Sequence, residues 1–147
     1  MNYINIEKIV KENKLESLLK DLQPIFENID VRSQRLMAGT YTDGHKASQL
    51  LMKATGWHGY LSDIYNTLDT IKTDQETRLF NSIKMKEEKL GKKITAAVID
   101  KAVSAEVMGL RRVRNIIGSY RDICDKMIFS CQSLLKSLND SYKRTRD

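Results

Sequence analysis

Positively charged side chains form two groups whose spacing suits the binding of phosphates. Arg111, Arg112 and Arg114 lie within four consecutive residues. The second group follows a predicted helix end and the loop after it, and its members are Arg78, Lys84, Lys86, Lys89, Lys92 and Lys93. Lysine and arginine along a groove neutralise phosphates and release counterions, so binding of this kind does not depend on nucleotide sequence. The candidate chemistry is therefore anion binding, and the alternative is a basic helix surface that is simply solvated.

Phe80 stands two residues after Arg78 and is the aromatic side chain best placed to stack on a base beside a cation. Arg114 and Arg121 border the predicted apolar seam described below, so their guanidinium groups face either a nucleic acid or a subunit interface.

The net charge of the chain is concentrated in its last third. The 147 residues include 25 lysines and arginines against 19 aspartates and glutamates, a formal charge of +6. Residues 91–147 hold twelve basic and six acidic side chains, and residues 31–60 hold four and one. Such asymmetry favours an anionic partner.

Residues that could support catalysis or bind a metal are sparse. His45, His58, Cys124 and Cys131 are the only histidines and cysteines, and none is at metal-ligand spacing with another. No glycine-rich phosphate loop or nucleophile elbow is present. We therefore expect neither an enzyme nor a cofactor or metal site.

The two cysteines and the hydropathy profile bear on the compartment. Cys124 and Cys131 are seven residues apart, roughly 10 Å along a helix, which is too far for a disulfide between them. We expect them to be buried as small apolar side chains in a reducing cytoplasm. No apolar stretch approaches about 18 residues, so no membrane partner is expected.

A heptad of mostly apolar residues organises the C-terminal part. It runs through Ile99, Val103, Glu106, Leu110, Val113, Ile117, Tyr120, Cys124, Met127, Cys131, Leu134 and Leu138. Steps of four and three predict a coiled-coil-like seam that contacts helices within the chain or in another copy. The last nine residues of this list, from Leu110 to Leu138, are the predicted oligomerisation residues. Thr95 is the predicted N-cap of this helix, and Gly109 is the predicted position of a break.

A second heptad precedes this one and predicts a helix from about Gly44 to Leu90. Gly91 suits its C-terminal cap, because glycine adopts positive φ without strain. The two long helices predict an antiparallel hairpin over residues 44–147. Residues 1–43 form a separate, short helical part in which Pro24 is expected to end one helix and begin another. The predicted fold class is all-α.

Three stretches resemble the phage recombination mediator family, the UvsY type. Arg78-Leu79-Phe80 resembles a basic–Leu–aromatic stretch associated with DNA binding, although Glu76 stands where that stretch carries lysine. The linker 92–95 with the following residues 96–110 resembles the start of the family's second helical part. Residues 122–138 resemble its cysteine-bearing assembly helix. The likeness covers roughly residues 60–140.

This resemblance implies a protein that binds single-stranded DNA, self-assembles, and loads a RecA-like recombinase while displacing single-strand binding protein. Our first hypothesis is therefore a non-enzymatic accessory protein of phage homologous recombination, which would act in the host cell's cytoplasm if a phage encodes it. The alternative is a helical structural or scaffolding protein, such as a virion component or partner-protein adaptor, that needs no basic surface. A helical regulator that sequesters a partner is a third option.

Overall fold

The computed structural model describes residues 4–146, and every regular element in that range is an α-helix. The five helices of this range are α1 (Ile6–Lys11), α2 (Leu15–Met37), α3 (Gly44–Lys89), α4 (Ala96–Glu106) and α5 (Met108–Arg144). The predicted all-α class is confirmed, and the predicted long helix from about Gly44 to Leu90 corresponds to α3.

Three helices are each followed, two positions after their last residue, by a residue whose φ lies in the left-handed region. These residues are Asn13 after α1, Gly39 after α2 and Gly91 after α3, with φ values of 54°, 71° and 68°. At the end of α3, the amide of Gly91 donates to the carbonyl of Glu88 at 3.1 Å, and that of Lys92 donates to Glu87 at 3.0 Å. This pair of bonds satisfies carbonyls that the helix itself leaves without a partner. The predicted capping role of Gly91 is confirmed.

The chain folds into two compact units that are each built from separate stretches of sequence. The first unit comprises residues 1–19 and 64–116. Its buried apolar side chains are Ile6, Leu18, Ile64, Leu68, Ile99, Val103, Val107, Leu110 and Val113. All five helices contribute to this set, so the short α1 and α4 are positioned by the core that they help to form.

The second unit comprises residues 20–63 and 117–147 and contains the larger part of α2, the first half of α3 and most of α5. Its buried apolar side chains are Leu22, Phe26, Ile29, Ala47, Leu50, Ala54, Leu61, Ile117, Cys124, Met127 and Cys131. The predicted division into a short helical part at residues 1–43 and a long helical hairpin at residues 44–147 stays a prediction.

The helix predicted to run on from Thr95 is divided at Val107. This residue has φ −96° and ψ 7°, and it separates α4 from α5 two positions before the expected break at Gly109. Val107 is 1 % exposed whereas Glu106 is exposed, so the buried stripe passes through Val107 instead of Glu106. Burying an unpaired carboxylate is costly, and the break keeps that group at the surface.

Thr95 occupies the N-cap position of α4, as expected, with extended backbone angles. Its hydroxyl accepts no capping hydrogen bond, so that part of the expectation is wrong.

Pro24 does not end a helix, contrary to expectation, because α2 continues through it. Pro24 is exposed, and buried residues occur on both sides of it at Leu18, Leu22, Phe26 and Ile29. An interior proline costs a helix about 3 kcal/mol. Each fully buried large apolar side chain contributes about 1.5–3 kcal/mol, so the continuous stripe outweighs that cost.

Replacing Pro24 with alanine is expected to raise the free energy of unfolding by about 1–3 kcal/mol, because alanine restores a helical N–H and removes the ring's clash. Urea denaturation followed by circular dichroism measures the change. The adjacent Gln23→Ala variant serves as control, since an exposed substitution is expected to stay within about 0.5 kcal/mol. A Pro24→Ala protein no more stable than the control contradicts this account of α2.

Candidate nucleic-acid interface

The second basic group of the sequence lies at the end of α3 and on its connection to α4. We call Arg78, Lys84, Lys86, Lys89, Lys92 and Lys93 the lysine-rich end. All six residues are exposed, and among residues 4–146 none of these six side chains has a carboxylate within 4.0 Å. With Glu87 and Glu88 in the same stretch, residues 78–93 carry a net charge of +4. Cations here also interact favourably with the C-terminal end of the helix dipole.

Helical spacing divides the lysine-rich end into faces. Arg78, Lys86 and Lys89 fall on one face of α3. The positions 78, 82, 86 and 89 follow one another by four, four and three residues, and residues three or four apart are neighbours on a helix surface. Lys84 lies on a different face. One stripe of three exposed cations therefore follows the axis of α3 over about three turns, a geometry that suits an extended phosphate backbone.

Phe80 does not share a face with Arg78, since residues two apart on a helix point in different directions. Its side chain is half-buried and lines a cavity of about 410 Å³ together with Glu76, Asp100 and Arg111. Arg78 and Phe80 therefore lie on different faces of α3, and the assignment of Phe80 to DNA contact stays a prediction.

Arg111 is bound within its own unit. Its Nη2 donates to Glu76 Oε1 at 2.9 Å and to Ser104 Oγ at 3.3 Å. Glu76 also accepts from Lys72 Nζ at 3.1 Å. Glu76 thus connects α3 to the start of α5.

Arg114 and Arg112 are also paired with carboxylates. Arg114 Nη1 lies 2.5 Å from Asp69 Oδ1, and its Cζ lies 5.8 Å from the ring centre of Tyr65. Arg112 forms an ion pair with Glu16. The arginine cluster therefore contributes less free positive charge than its sequence indicates. Its assignment to DNA contact stays a prediction, and the lysine-rich end is the more accessible candidate.

The Glu76 carboxyl has a lowered pKa, chiefly because Arg111 donates a hydrogen bond to its charged form, with Lys72 adding to the effect. A carboxyl whose pKa is lower in the folded state than in the unfolded chain stabilises the fold at pH values above its ordinary pKa of 4.5. That contribution is lost as the pH falls through the lowered pKa.

Acid titration of stability is therefore expected to depend on Glu76. Between pH 5 and about pH 3 the wild-type protein should lose more free energy of unfolding than Glu76→Gln, which has no charge to lose. Urea denaturation at each pH gives the comparison. Asp74→Asn is the control, because Asp74 is exposed on the same helix and has no ion pair with any residue of the described range 4–146. Parallel pH profiles for wild type and Glu76→Gln contradict the expectation.

The predicted oligomerisation residues are largely buried within the single chain. Leu110, Val113, Ile117, Cys124, Met127 and Cys131 are each 4 % exposed or less, and Leu134 and Leu138 are half-buried. Burial within one chain accounts for this part of the heptad without a second copy. Oligomerisation through these residues stays a prediction.

The cysteines behave as the sequence indicates. Both are free and buried, and burial raises the pKa of the Cys124 thiol to about 12. The thiolate of this residue is therefore strongly disfavoured at neutral pH, which makes it a poor nucleophile.

Tyr120 has a polar role that the heptad did not predict. Its ring stacks on Phe26 with centroids 4.0 Å apart, and its hydroxyl donates to Asp30 Oδ2 at 2.9 Å. Burial and then Asp30 raise the pKa of this phenol. Sequence reasoning missed the pair because Asp30 and Tyr120 are 90 positions apart.

Within residues 4–146, no helix combines the length and apolar character needed to cross a membrane. Comparisons of the chain with protein-family models, with curated proteins and with solved structures returned no significant match.

Proposed function

We propose that this protein is a non-enzymatic accessory protein that binds single-stranded DNA without sequence preference. The observation that carries the proposal is the lysine-rich end, whose six cations are exposed and have no ion pair among residues 4–146. Lysines on a convex helix surface contact phosphates and leave bases unread, so this surface favours affinity over specificity. Its accessory role in phage homologous recombination, with a RecA-like recombinase and single-strand binding protein as partners, rests on the resemblance to the UvsY-type mediators.

Salt dependence is the direct test of this function. Fluorescence anisotropy with labelled oligo-dT is expected to show binding at low salt, with the logarithm of the association constant falling linearly with the logarithm of salt concentration. If all six cations of the lysine-rich end contact phosphates, the slope is expected to be about −4, from roughly 0.7 per phosphate on a single strand. Oligo-dT and a mixed-sequence strand are expected to bind equally. No binding of oligo-dT at low salt rules the function out.

The proposal includes the antiparallel hairpin of α3 with α4 and α5, and its assembly into a homo-oligomer. Because the middle of the α5 seam is buried in the protomer, assembly would use apolar side chains that are still accessible. Phe129 is 71 % exposed on α5, and Leu134 and Leu138 are half-buried near the end of that helix. Light scattering over a range of protein concentrations tests this part separately from DNA binding.

One observation favours the alternative of a partner-protein adaptor. The second unit has an apolar groove of about 660 Å³ lined by Leu36, Met37, Ile123, Met127, Leu134 and Leu138, with Met37 80 % exposed. Grooves of this kind accept the apolar face of a helix. An adaptor without nucleic-acid binding would keep its assembly and partner binding when the lysine-rich end is neutralised, and it would not bind oligo-dT.

A further inference from the structure

A second concentration of positive charge lies in the second unit, on a cleft that the proposed function does not use. The cleft has a volume of about 460 Å³ and lies where α2 ends and α3 begins. Four basic side chains line it, and they are Arg32, Arg35, Lys46 and Lys53. These are the only lysines and arginines of residues 31–60.

Backbone geometry brings these four cations together. Arg32 and Arg35 are three positions apart on α2, and Lys46 and Lys53 are seven apart on α3, so each pair lies on one side of its helix. Gly39, whose φ is 71°, lies two residues after the end of α2 in the segment that connects α2 to α3. Just before α3, Asp43 Oδ1 accepts a hydrogen bond from the backbone amide of His45 at 2.9 Å. Asp43 carries the only carboxylate of residues 31–60, and that carboxylate therefore caps the start of α3.

The cleft lacks the negative charge that would balance its cations. No aspartate or glutamate lines it, and among residues 4–146 none of the four basic side chains has a carboxylate within 4.0 Å. Arg32 Nε is buried and has no hydrogen-bond partner among residues 4–146. Buried polar N–H groups are normally satisfied, so Arg32 has a donor available for an acceptor.

We propose that this cleft binds linked phosphate groups, as an inorganic di- or triphosphate or as the phosphate chain of a nucleotide. A terminal phosphate carries about −1.5 to −2 at neutral pH, so two or more linked phosphates match four cations where a single monovalent anion does not. Arginine guanidinium groups suit phosphate oxygens because their N–H groups donate in a planar fork. Tyr41 and Gln49, which also line the cleft, add a phenol and an amide.

The volume of the cleft is in the range of small-ligand sites. A nucleotide's base would have Tyr41 as its aromatic neighbour, whereas inorganic triphosphate would use the cations alone. The inference does not depend on DNA binding by the lysine-rich end, which belongs to the first unit.

Isothermal titration of the full chain in low salt tests the cleft, with inorganic triphosphate, ATP without magnesium, and adenosine as separate ligands. Triphosphate and ATP are expected to bind and adenosine is not. Equal affinity for the first two assigns recognition to the phosphates, and tighter binding of ATP adds a contact with the nucleoside. If neither triphosphate nor ATP binds, the proposal is overturned.

The Arg32→Gln/Lys53→Gln double variant locates the site. Losing one charge-assisted contact weakens binding about tenfold, so the double variant is expected to lose on the order of a hundredfold in triphosphate affinity. Lys20→Gln/Lys136→Gln removes two exposed cations of the same unit outside the cleft and is expected to keep wild-type affinity within about twofold.

A melting curve separates loss of binding from loss of folding. The double variant without ligand is expected to melt cooperatively at or above the wild-type temperature in low salt, because two of four like charges have been removed. Triphosphate should raise the melting temperature of wild type and of the control variant but not that of the double variant. Equal weakening in both variants overturns the proposal. If triphosphate does not bind and the double variant weakens oligo-dT binding, the cleft is part of a nucleic-acid surface and the proposal is wrong.

Discussion

Replacing Arg78, Lys86 and Lys89 together with glutamine is expected to weaken binding to oligo-dT by on the order of 100-fold or more at low salt. These side chains form the exposed stripe on one face of α3, and each neutralised phosphate releases condensed counterions. The slope of the logarithm of the association constant against the logarithm of salt concentration is expected to become less steep by about 2, because three contacts at roughly 0.7 each are lost. Fluorescence anisotropy at several salt concentrations gives both quantities.

The matched control removes the same amount of charge elsewhere. Lys20, Lys101 and Lys136 are exposed, are outside the lysine-rich end and have no ion pair among residues 4–146. Their triple glutamine variant is expected to keep affinity within about threefold, since only the general field of the protein changes. If the two triple variants lose affinity equally, the attraction comes from net charge and the stripe is not a binding surface.

Charge reversal at Arg111, Arg112 and Arg114 would be a less informative test of DNA binding than neutralising the stripe on α3. Arg111 and Arg114 are bonded to Glu76 and Asp69, and Arg112 is paired with Glu16. Reversing these charges would place carboxylates beside carboxylates and destabilise the first unit. A loss of DNA binding in that variant would then report on folding as well as on contact with DNA.

Replacing Ile117 with alanine is expected to lower the free energy of unfolding by about 2–5 kcal/mol. Ile117 is 0 % exposed within one chain, so the substitution removes apolar burial and leaves a cavity. Because the loss arises inside the protomer, the difference in urea midpoint between wild type and variant is expected to be the same at every protein concentration. Denaturation at two concentrations tenfold apart checks this.

Phe129→Ala is the control for the same helix, because Phe129 is 71 % exposed. Its effect on the protomer's stability is expected to stay within about 0.5 kcal/mol although more side chain is removed. A stability loss at Ile117 that disappears at high protein concentration indicates that this residue packs against another copy. That result would restore the seam to its predicted oligomerisation role and contradict the protomer core described above.

The sequence predicted the helices best where a local rule acts on neighbouring residues. The extent of α3 follows from its heptad and from Gly91, whose positive φ needs no distant partner. The burial of Cys124 and Cys131 follows from their place on the apolar seam. Both kinds of prediction rest on periodicity and backbone preference, which operate over three to seven residues.

Predictions failed where distant packing competed with a local rule. Pro24 is a helix breaker by its own chemistry, yet α2 continues because buried residues on both sides of it are held by tertiary contacts. The break at Val107 instead of Gly109 has a similar origin, since the core selects which residue is buried and glycine only lowers the cost of bending.

Composition and periodicity alone determined that the chain is helical, which stripes are apolar, where the long helix ends and how many charges each segment carries. Only the tertiary structure decided which charges are free. Among residues 4–146, Arg111, Arg112 and Arg114 are paired with carboxylates 35 to 96 positions away in the chain, whereas the lysine-rich end and the four cations of the cleft have no carboxylate within 4.0 Å. The reason is physical, because a charge's availability depends on its neighbours in space, and helix packing brings together residues that no local pattern relates.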